Sequence, residues 1–144
     1  MSARPLSLFG PEMPMPEPDP VTAPFWSAAR EGRLVIQRCA DCGAFRQLPH
    51  VLCAKCQSSA CDWVASEGRG TVFTYTIVTH AVHPATASAV PYNVVLVELD
   101  DCGRVLVPGN VVDCPPEALH VGMPVRVVFD RVSDDVCIPR FARS

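Results

Sequence analysis

Two short cysteine motifs, Cys39-Ala-Asp-Cys42-Gly43 and Cys53-Ala-Lys-Cys56, lie close together in the chain and are separated by residues 43–52. A Cys-x-x-Cys turn directs both of its sulfurs to one point, so two such turns supply the four thiolates of a tetrahedral metal site. Gly43 suits the positive φ that brings backbone N–H groups near the thiolates. The spacing predicts a zinc ribbon with a structural zinc ion, and an iron centre in the same sulfur cage is the alternative.

Four other cysteines lie outside these motifs, and His50 lies between the two motifs. His50 and Cys61 are near enough in sequence to compete as ligands, but neither has a second ligand at Cys-x-x-Cys spacing. We therefore expect the metal ligands to be the four motif cysteines. The remaining cysteines are spread through apolar segments, which favours buried small side chains: Cys102, Cys114 and Cys137.

The composition favours a folded globular protein over a disordered chain or a dedicated nucleic-acid binder. Apolar residues make up 49% and charged residues 19% of the 144 residues, as expected of a folded globular chain. The net charge is −3, and no Lys/Arg run of the kind found in dedicated nucleic-acid binders occurs. The absence of a long apolar run and of a secretory leader predicts a cytoplasmic protein with reduced thiols, without a membrane span.

The uneven distribution of proline separates an N-terminal arm from the rest of the chain. Residues 1–23 hold six of the fifteen prolines, which predicts an extended arm that is either a solvated tail or docks through Leu6, Leu8 and Phe9. Residues 24–67 begin with a short predicted helix whose buried face carries Phe25, Ala28 and Ala29, and continue through the predicted strand Arg33–Arg38 into the ribbon.

Residues 68–144 alternate β-rich stretches with turn residues, so the chain is predicted to be mainly β. Five strands in a segment of this length predict an OB-fold barrel. Their predicted ranges are Thr71–His80, Tyr92–Leu99, Arg104–Val112, Pro124–Arg131 and Val136–Phe141.

The first of these strands carries Phe73, Tyr75 and Ile77 at alternate positions, which predicts one bulky, core-facing side. Aromatic residues on an OB-fold strand also stack on nucleobases, so a single-stranded nucleic-acid binder is the alternative function. Residues 71–144 hold eight acidic residues and five arginines, a net charge of −3 (5 − 8) that disfavours a polyanionic partner.

The segment Tyr92–Leu99 is apolar on both faces, although a barrel strand that faces water normally alternates. The second face must therefore be covered by the ribbon, by the Pro-rich arm or by another protein, which makes it a candidate protein interface. We expect this interface to include the aromatic residues of the predicted helix, and its candidate residues are Phe25, Trp26, Tyr92, Val94 and Leu96.

No nucleophile elbow, P-loop or dinucleotide-binding fingerprint occurs in the sequence. His80 and His83 form a His-x-x-His pair, but no Cys, Asp or Glu stands at matching ligand spacing. We interpret that pair as part of a loop and predict no catalytic residue.

In their order along the chain, these elements resemble the DUF35 family over about residues 18–144, and the Pro-rich leader departs from its usual pattern. The residues that carry the resemblance are Phe25-Trp26, Leu34–Arg38 with Cys39-x-x-Cys42-Gly43, Pro49, Cys53-x-x-Cys56, Trp63, Gly68-x-Gly70-Thr-Val-Phe-Thr-Tyr-Thr76, Pro91-Tyr92, Val95-x-Val97-Glu-Leu99 and Val121-Gly-Met-Pro-Val125.

The resemblance implies a rubredoxin-like zinc ribbon followed by an OB-fold, with Cys39, Cys42, Cys53 and Cys56 carried over as zinc ligands. Members of the family are partners of thiolase-fold enzymes such as thiolases, acyltransferases and the aldolases that shorten steroid-CoA side chains, and the domain also occurs with a MaoC-like hydratase. The implied role is an accessory subunit that has no activity alone, supports its partner and borders the acyl-CoA site. No catalytic residue carries over.

Overall fold

The computed structural model describes residues 8–144. One α-helix, α1 (Ala23–Arg30), precedes nine strands: β1 (Leu34–Cys39), β2 (Phe45–Arg46), β3 (Cys61–Ser66), β4 (Arg69–Val78), β5 (Tyr92–Leu99), β6 (Leu106–Gly109), β7 (Val111–Val112), β8 (Pro124–Arg131) and β9 (Cys137–Arg143). The predicted fold class, mainly β with an N-terminal helix, a ribbon and an OB-fold region, is confirmed. No helix in residues 8–144 is long and apolar enough to cross a membrane.

The ribbon is a three-stranded sheet in the order β2-β1-β3. Its central strand β1 is apolar at Leu34, Val35 and Ile36 and ends at Cys39, so one strand connects the core to the first cysteine motif. Strand β3 pairs antiparallel with β1 along its whole length, from Leu34 opposite Ser66 to Cys39 opposite Cys61. No strand was predicted at β3. The alternation of apolar and polar residues in this segment is weak, and the strand with which it pairs lies far away in the sequence.

The OB-fold region is a six-stranded sheet in the order β6-β5-β4-β8-β9-β7. The ranges predicted for β5 and β8 agree with the structure. The single strand predicted over Arg104–Val112 is instead two strands divided at Asn110, because β6 pairs antiparallel with β5 whereas β7 pairs parallel with β9. Arg104 belongs to a 3-10 turn and has a φ of 59°.

Backbone pairing does not close this sheet into a complete barrel within the described residues. The edge strands are β6 and β7, and β6 pairs with β5 only from Val95 to Glu98. The seam between the remaining end of β5 and β7 is bridged by the side chain of Asn93. Its Nδ2 donates to the carbonyl oxygen of Val111 at 2.8 Å, and its Oδ1 accepts from the backbone N–H of Val111 at 2.7 Å. The side-chain amide of Asn93 thus forms the two hydrogen bonds to β7 that a neighbouring strand would otherwise form through its backbone.

The ribbon and the OB-fold region share one hydrophobic core. Phe25 and Ala29 of α1 and Ile36 of β1 belong to the same buried cluster as Val97 of β5 and Phe141 of β9. As predicted, Phe25, Ala28 and Ala29 form the buried face of the helix. The two sheets are therefore packed on each other by side chains from both.

The prediction that Phe73 and Tyr75 belong to the core is wrong. Phe73 is 51% exposed and Tyr75 is 38% exposed, whereas Val72 is buried. The β4–β5 register shifts between Val72 and Thr74, and β8 pairs with β4 only as far as Thr71. Beyond that point β4 no longer pairs with β8, so alternation in β4 does not correspond to burial, whereas alternation in β5 still does.

The described part of the Pro-rich arm folds back onto the OB-fold region. The ring of Phe9 packs edge-on against Tyr92 with centroids 5.1 Å apart, and the Arg140 guanidinium lies 5.5 Å from the Phe9 centroid. The backbone N–H of Gly10 donates to the carbonyl of Ala85 at 2.7 Å. Leu6 lies outside the described residues, and Phe9 contacts its own chain.

Candidate metal centre and partner surface

The four cysteines of the two motifs come together at one end of the ribbon. One sulfur atom from each of Cys39, Cys42, Cys53 and Cys56 lies within 4.8 Å of all the others. The Sγ atoms of Cys39 and Cys56 are 3.5 Å apart and those of Cys42 and Cys53 are 3.6 Å apart. A tetrahedron with Zn–S bonds of about 2.3 Å has sulfurs about 3.8 Å apart, so the four thiols fit a zinc ion.

Backbone N–H groups point at the sulfurs of the cluster. The N–H of Cys42 lies 3.5 Å from the sulfur of Cys39, and the N–H of Lys55 lies 3.4 Å from that of Cys53. Hydrogen bonds from the backbone of Cys56 and Lys55 lower the pKa of the Cys53 thiol to about 6. The pKa of Cys39 is lowered in the same way, chiefly by the backbone of Cys42. These donors favour the thiolate form of Cys39 and Cys53, which is the form that binds a metal.

Local conformation and a side-chain bond hold the two motifs in position. Gly43 has the positive φ expected of it, 78°. The Ser58 hydroxyl donates a hydrogen bond to the carboxylate of Asp41. This bond links the segment that follows the second motif to the first motif, which contains Asp41. Across β1 and β3, the Arg38 guanidinium bonds both carboxylate oxygens of Asp62 at 2.9 and 3.1 Å, and this pair lowers the pKa of Asp62.

A buried amide, which sequence reasoning missed, organises the loop between the motifs. Gln37 is 2% exposed. Its Oε1 accepts from the backbone N–H of His50 at 2.8 Å and from Nε of Arg46 at 2.8 Å, and its Nε2 donates to the His50 carbonyl at 3.0 Å. A polar residue inside an otherwise apolar strand was the only signal for this role.

The competing ligands lie outside the four-thiol cluster. His50 contributes its backbone to Gln37, and Cys61 is exposed with its sulfur 3.3 Å from Nε2 of Gln37. Cys102 and Cys137 are buried as expected, while Cys114 is only partly buried. His83 caps a 3-10 turn, because its Nδ1 accepts from the backbone N–H of Ala85 at 3.0 Å.

The five predicted interface residues occupy different environments. Phe25 is buried in the chain's own core, with Trp26 packed edge-on beside it at 5.1 Å. Tyr92 is partly covered by Phe9, and Leu96 is half-buried. Val94 remains 39% exposed. The structure therefore leaves only part of the predicted set accessible.

Further apolar side chains are exposed at the outer end of the β4–β5 hairpin, where Phe73 and Tyr75 lie near Val94 in the strand register. Tyr75 stands opposite Val95 and Thr76 stands opposite Val94, so exposed side chains occur on both faces of the hairpin. Val82, in the connecting loop, is 84% exposed. We call Phe73, Tyr75, Val82 and Val94 the hairpin end.

Two family models match consecutive parts of the chain. The rubredoxin-like zinc ribbon domain of ChsH2 matches residues 26–62, and the C-terminal OB-fold domain of ChsH2 matches residues 63–130. Together they cover most of the chain, including the four-cysteine cluster and strands β3 to β5.

Curated relatives carry two kinds of name. The chain is 38% identical over 118 residues to a probable enoyl-CoA hydratase alpha subunit of Thermomonospora curvata and 36% identical over 108 residues to the 3-oxo-4,17-pregnadiene-20-carboxyl-CoA hydratase alpha subunit of Mycobacterium tuberculosis. These alignments include 81% and 75% of this chain but only 36% and 33% of the relatives, so the chain spans about a third of their length.

A relative of similar length is a DUF35 domain-containing scaffold protein of Methanocaldococcus jannaschii, which is 32% identical over 71% of each chain. Among solved structures, a chain described as Ltp2-ChsH2(DUF35) aldolase superposes with a TM-score of 0.79 at 34% identity, covering 90% of this chain and 98% of the other. With the ribbon and OB-fold models matched in order, this chain belongs to the DUF35 family, in its ChsH2-type ribbon and OB-fold form.

Proposed function

We propose that this protein is a non-catalytic accessory subunit of an acyl-CoA-processing, thiolase-fold enzyme, with steroid-CoA aldolases as the preferred class. The observation that carries the proposal is the superposition on a ChsH2(DUF35) chain from an aldolase assembly, which covers 98% of that chain. The relatives named as hydratase alpha subunits and as a scaffold protein support a role within a larger complex.

In this proposal Cys39, Cys42, Cys53 and Cys56 bind one zinc ion, and four protein ligands leave no position for a reacting water. The metal then stabilises the ribbon instead of performing chemistry. Its thiolates and the free cysteines of the core suit a reducing compartment such as the cytoplasm.

The partner contacts the hairpin end. Phe73, Tyr75 and Val94 expose apolar surface on both faces of one hairpin, a shape that fits into a groove of the partner rather than against a flat surface. Aromatic side chains bury a large area and lose little conformational freedom, so they are effective anchors. Leu96 is partly buried and stands opposite Thr74 of β4, at the margin of this surface. Trp26 is partly buried against the chain's own core.

Stacking on single-stranded nucleic acid is the second candidate function, because Phe73 and Tyr75 are exposed rather than buried. The net charge of −3 over residues 71–144 opposes a polyanion. We therefore assign the two rings to a protein partner, and binding of an oligonucleotide is measured alongside the partner.

The experiment begins with a tagged copy in the native host, followed by identification of the co-purifying enzyme and reconstitution from the two purified proteins. We expect turnover of acyl-CoA by the complex and none by this chain alone. The paired variants Phe73→Asp and Val94→Asp should lower affinity for the enzyme at least tenfold. Val121→Asp, at a 63% exposed position outside the hairpin end, is the matched control.

Melting temperature and zinc content verify that each variant folds. Acyl-CoA turnover by the purified chain alone would show that the accessory role is wrong. If Trp26→Ala, Phe73→Asp and Val94→Asp all fold and retain full affinity for the enzyme, the interface lies elsewhere on the molecule.

A further inference from the structure

Five of the ten arginines in residues 8–144 have a carboxylate partner. The pairs are Arg33–Glu31 at 2.9 Å, Arg38–Asp62 at 2.9 Å, Arg104–Glu98 at 2.6 Å, Arg140–Asp130 at 2.7 Å and Arg30–Asp135 at 3.9 Å. Three more arginines donate instead to carbonyl or amide oxygens: Arg46, Arg131 and Arg143. Arg69 and Arg126 differ from both groups, because within the described residues neither has a carboxylate oxygen within 4 Å or a recorded bond to a carbonyl oxygen.

These two arginines are also direct neighbours. Arg69 of β4 and Arg126 of β8 are register partners in an antiparallel pair. Like charges directly opposite each other on adjacent strands destabilise a sheet. The side-chain contact recorded for Arg69 is a long one, from Nη1 to the Ser144 hydroxyl at 3.5 Å. The arrangement therefore costs the fold stability and contributes no ion pair.

A cleft of about 250 Å³ lies beside the pair, between the ribbon and the OB-fold region. Its charged lining residues are Arg33, Arg69, Arg126 and Glu67, a net charge of +2 (3 − 1) in a chain whose total is −3. Arg33 is held by Glu31 from outside the cleft. The cleft is thus a positive site on an acidic protein.

We propose that this cleft binds the phosphate or diphosphate group of a small ligand. Both arginines line the cleft, and each guanidinium group presents parallel N–H donors that match phosphate oxygens. A phosphate group carries about −1.5 to −2 charges at pH 7, enough to compensate both arginines, whereas one carboxylate carries a single charge. The cleft is smaller than the roughly 300–1,000 Å³ of sites that enclose a whole ligand, so only the anionic end enters it.

The phosphate group has two sources, a free phosphate metabolite or the phosphates of a coenzyme A handled by the proposed complex. The site itself does not rest on the proposed function, since the arginine pair and the cleft belong to this chain alone. A failed binding experiment on the isolated chain would overturn the site and leave the accessory role in place.

The test uses the full, zinc-loaded chain at low salt, with inorganic pyrophosphate and coenzyme A as probes in calorimetry and thermal melting. We expect pyrophosphate to raise the melting temperature and its affinity to fall as salt is added. Arg69→Gln and Arg126→Gln should each weaken binding at least tenfold. The Arg126→Gln protein without ligand should melt at the same or a higher temperature, because the like-charge pair is gone.

Arg30→Gln is the matched control, since it removes one exposed positive charge outside the cleft. Arg126→Lys keeps the charge but lacks the fork of donors, so it should bind more weakly than the native chain. Tighter binding of coenzyme A than of pyrophosphate assigns the phosphate to the coenzyme, and equal binding assigns it to free metabolites.

Three results would overturn the proposal. The first is the absence of pyrophosphate binding at low salt. The second is an equal loss of affinity in Arg30→Gln and Arg126→Gln, which would show a response to net charge alone. The third is tighter binding of a single-stranded oligonucleotide through the same two arginines, which would make the cleft part of a nucleic-acid surface.

Discussion

The amide of Asn93 hydrogen bonds to both backbone polar groups of Val111, at 2.7 and 2.8 Å, across the seam between β5 and β7. Asn93 is 6% exposed, so neither bond can be replaced by water without opening the seam. The backbone of Asn93 is used as well, because its carbonyl accepts from Nδ2 of Asn110 at 2.6 Å. Gln37 has the same relationship with the backbone of His50 in the ribbon.

Asn93→Ala should destabilise the protein by about 2–4 kcal/mol, because it leaves a buried N–H and a buried carbonyl of Val111 without partners. For a chain of this size that is a fall in melting temperature of about 2–4 °C per kcal/mol. Asn93→Asp keeps the acceptor and loses the donor, so it too should destabilise. Thr74→Ala, at an exposed position of the facing strand, is the control and should melt like the native chain.

Elemental analysis should find one zinc ion per chain. The double variant Cys39→Ser/Cys56→Ser should lose it, with unfolding of the ribbon, since structural zinc supplies about 10–16 kcal/mol of binding free energy. Cys61→Ser changes an exposed cysteine outside the cluster and should retain the metal. A double variant with native zinc content and native melting would refute this ligand assignment.

Gln37→Leu should make the ribbon lose zinc faster to a chelator. The variant retains a buried side chain of similar size but frees the backbone of His50, which lies just before Cys53 in the loop. Because supporting residues around metal ligands typically change affinity about 10–100-fold, we expect a loss rate higher by about that factor. Leu48→Ala, at an exposed position of the same loop, serves as control, and equal rates in the two variants would contradict the role of Gln37.

Burial, together with the neighbouring Asp101 carboxylate, raises the pKa of the Cys102 thiol to about 11. An unfolded cysteine has a pKa of about 8.5, so the folded state holds its proton more tightly. The associated stability is present below about pH 8.5 and is lost as the pH rises towards 11. Cys102→Ala should flatten this part of the stability profile, and iodoacetamide at pH 8 should label Cys61 well before Cys102.

Part of this structure could be read from the sequence because the relevant pattern is local. The Cys-x-x-Cys spacing predicted which sulfurs meet, and the run of apolar residues from Tyr92 to Leu99 predicted the range of β5. The helix was predicted from the proline at its start and from the spacing of its apolar face.

The errors arise where a distant segment decides the outcome. Alternation in β4 predicted one core-facing side that carries Phe73, Tyr75 and Ile77. It does not reveal that β8 stops pairing at Thr71, so burial of Tyr75 was wrongly predicted. The roles of Gln37 and Asn93 were missed, because an amide side chain in a largely apolar strand does not indicate which distant backbone groups it will hydrogen bond.

The common core of α1 and β9 sets the order of events when the protein is made. Phe25 emerges from the ribosome long before Phe141, with which it shares a core. The nascent ribbon can gather its four cysteines early, but the helix beside it stays without its final packing partner until the last strand is available. Native packing of the ribbon helix therefore depends on β9, and it cannot be completed cotranslationally before that strand has emerged.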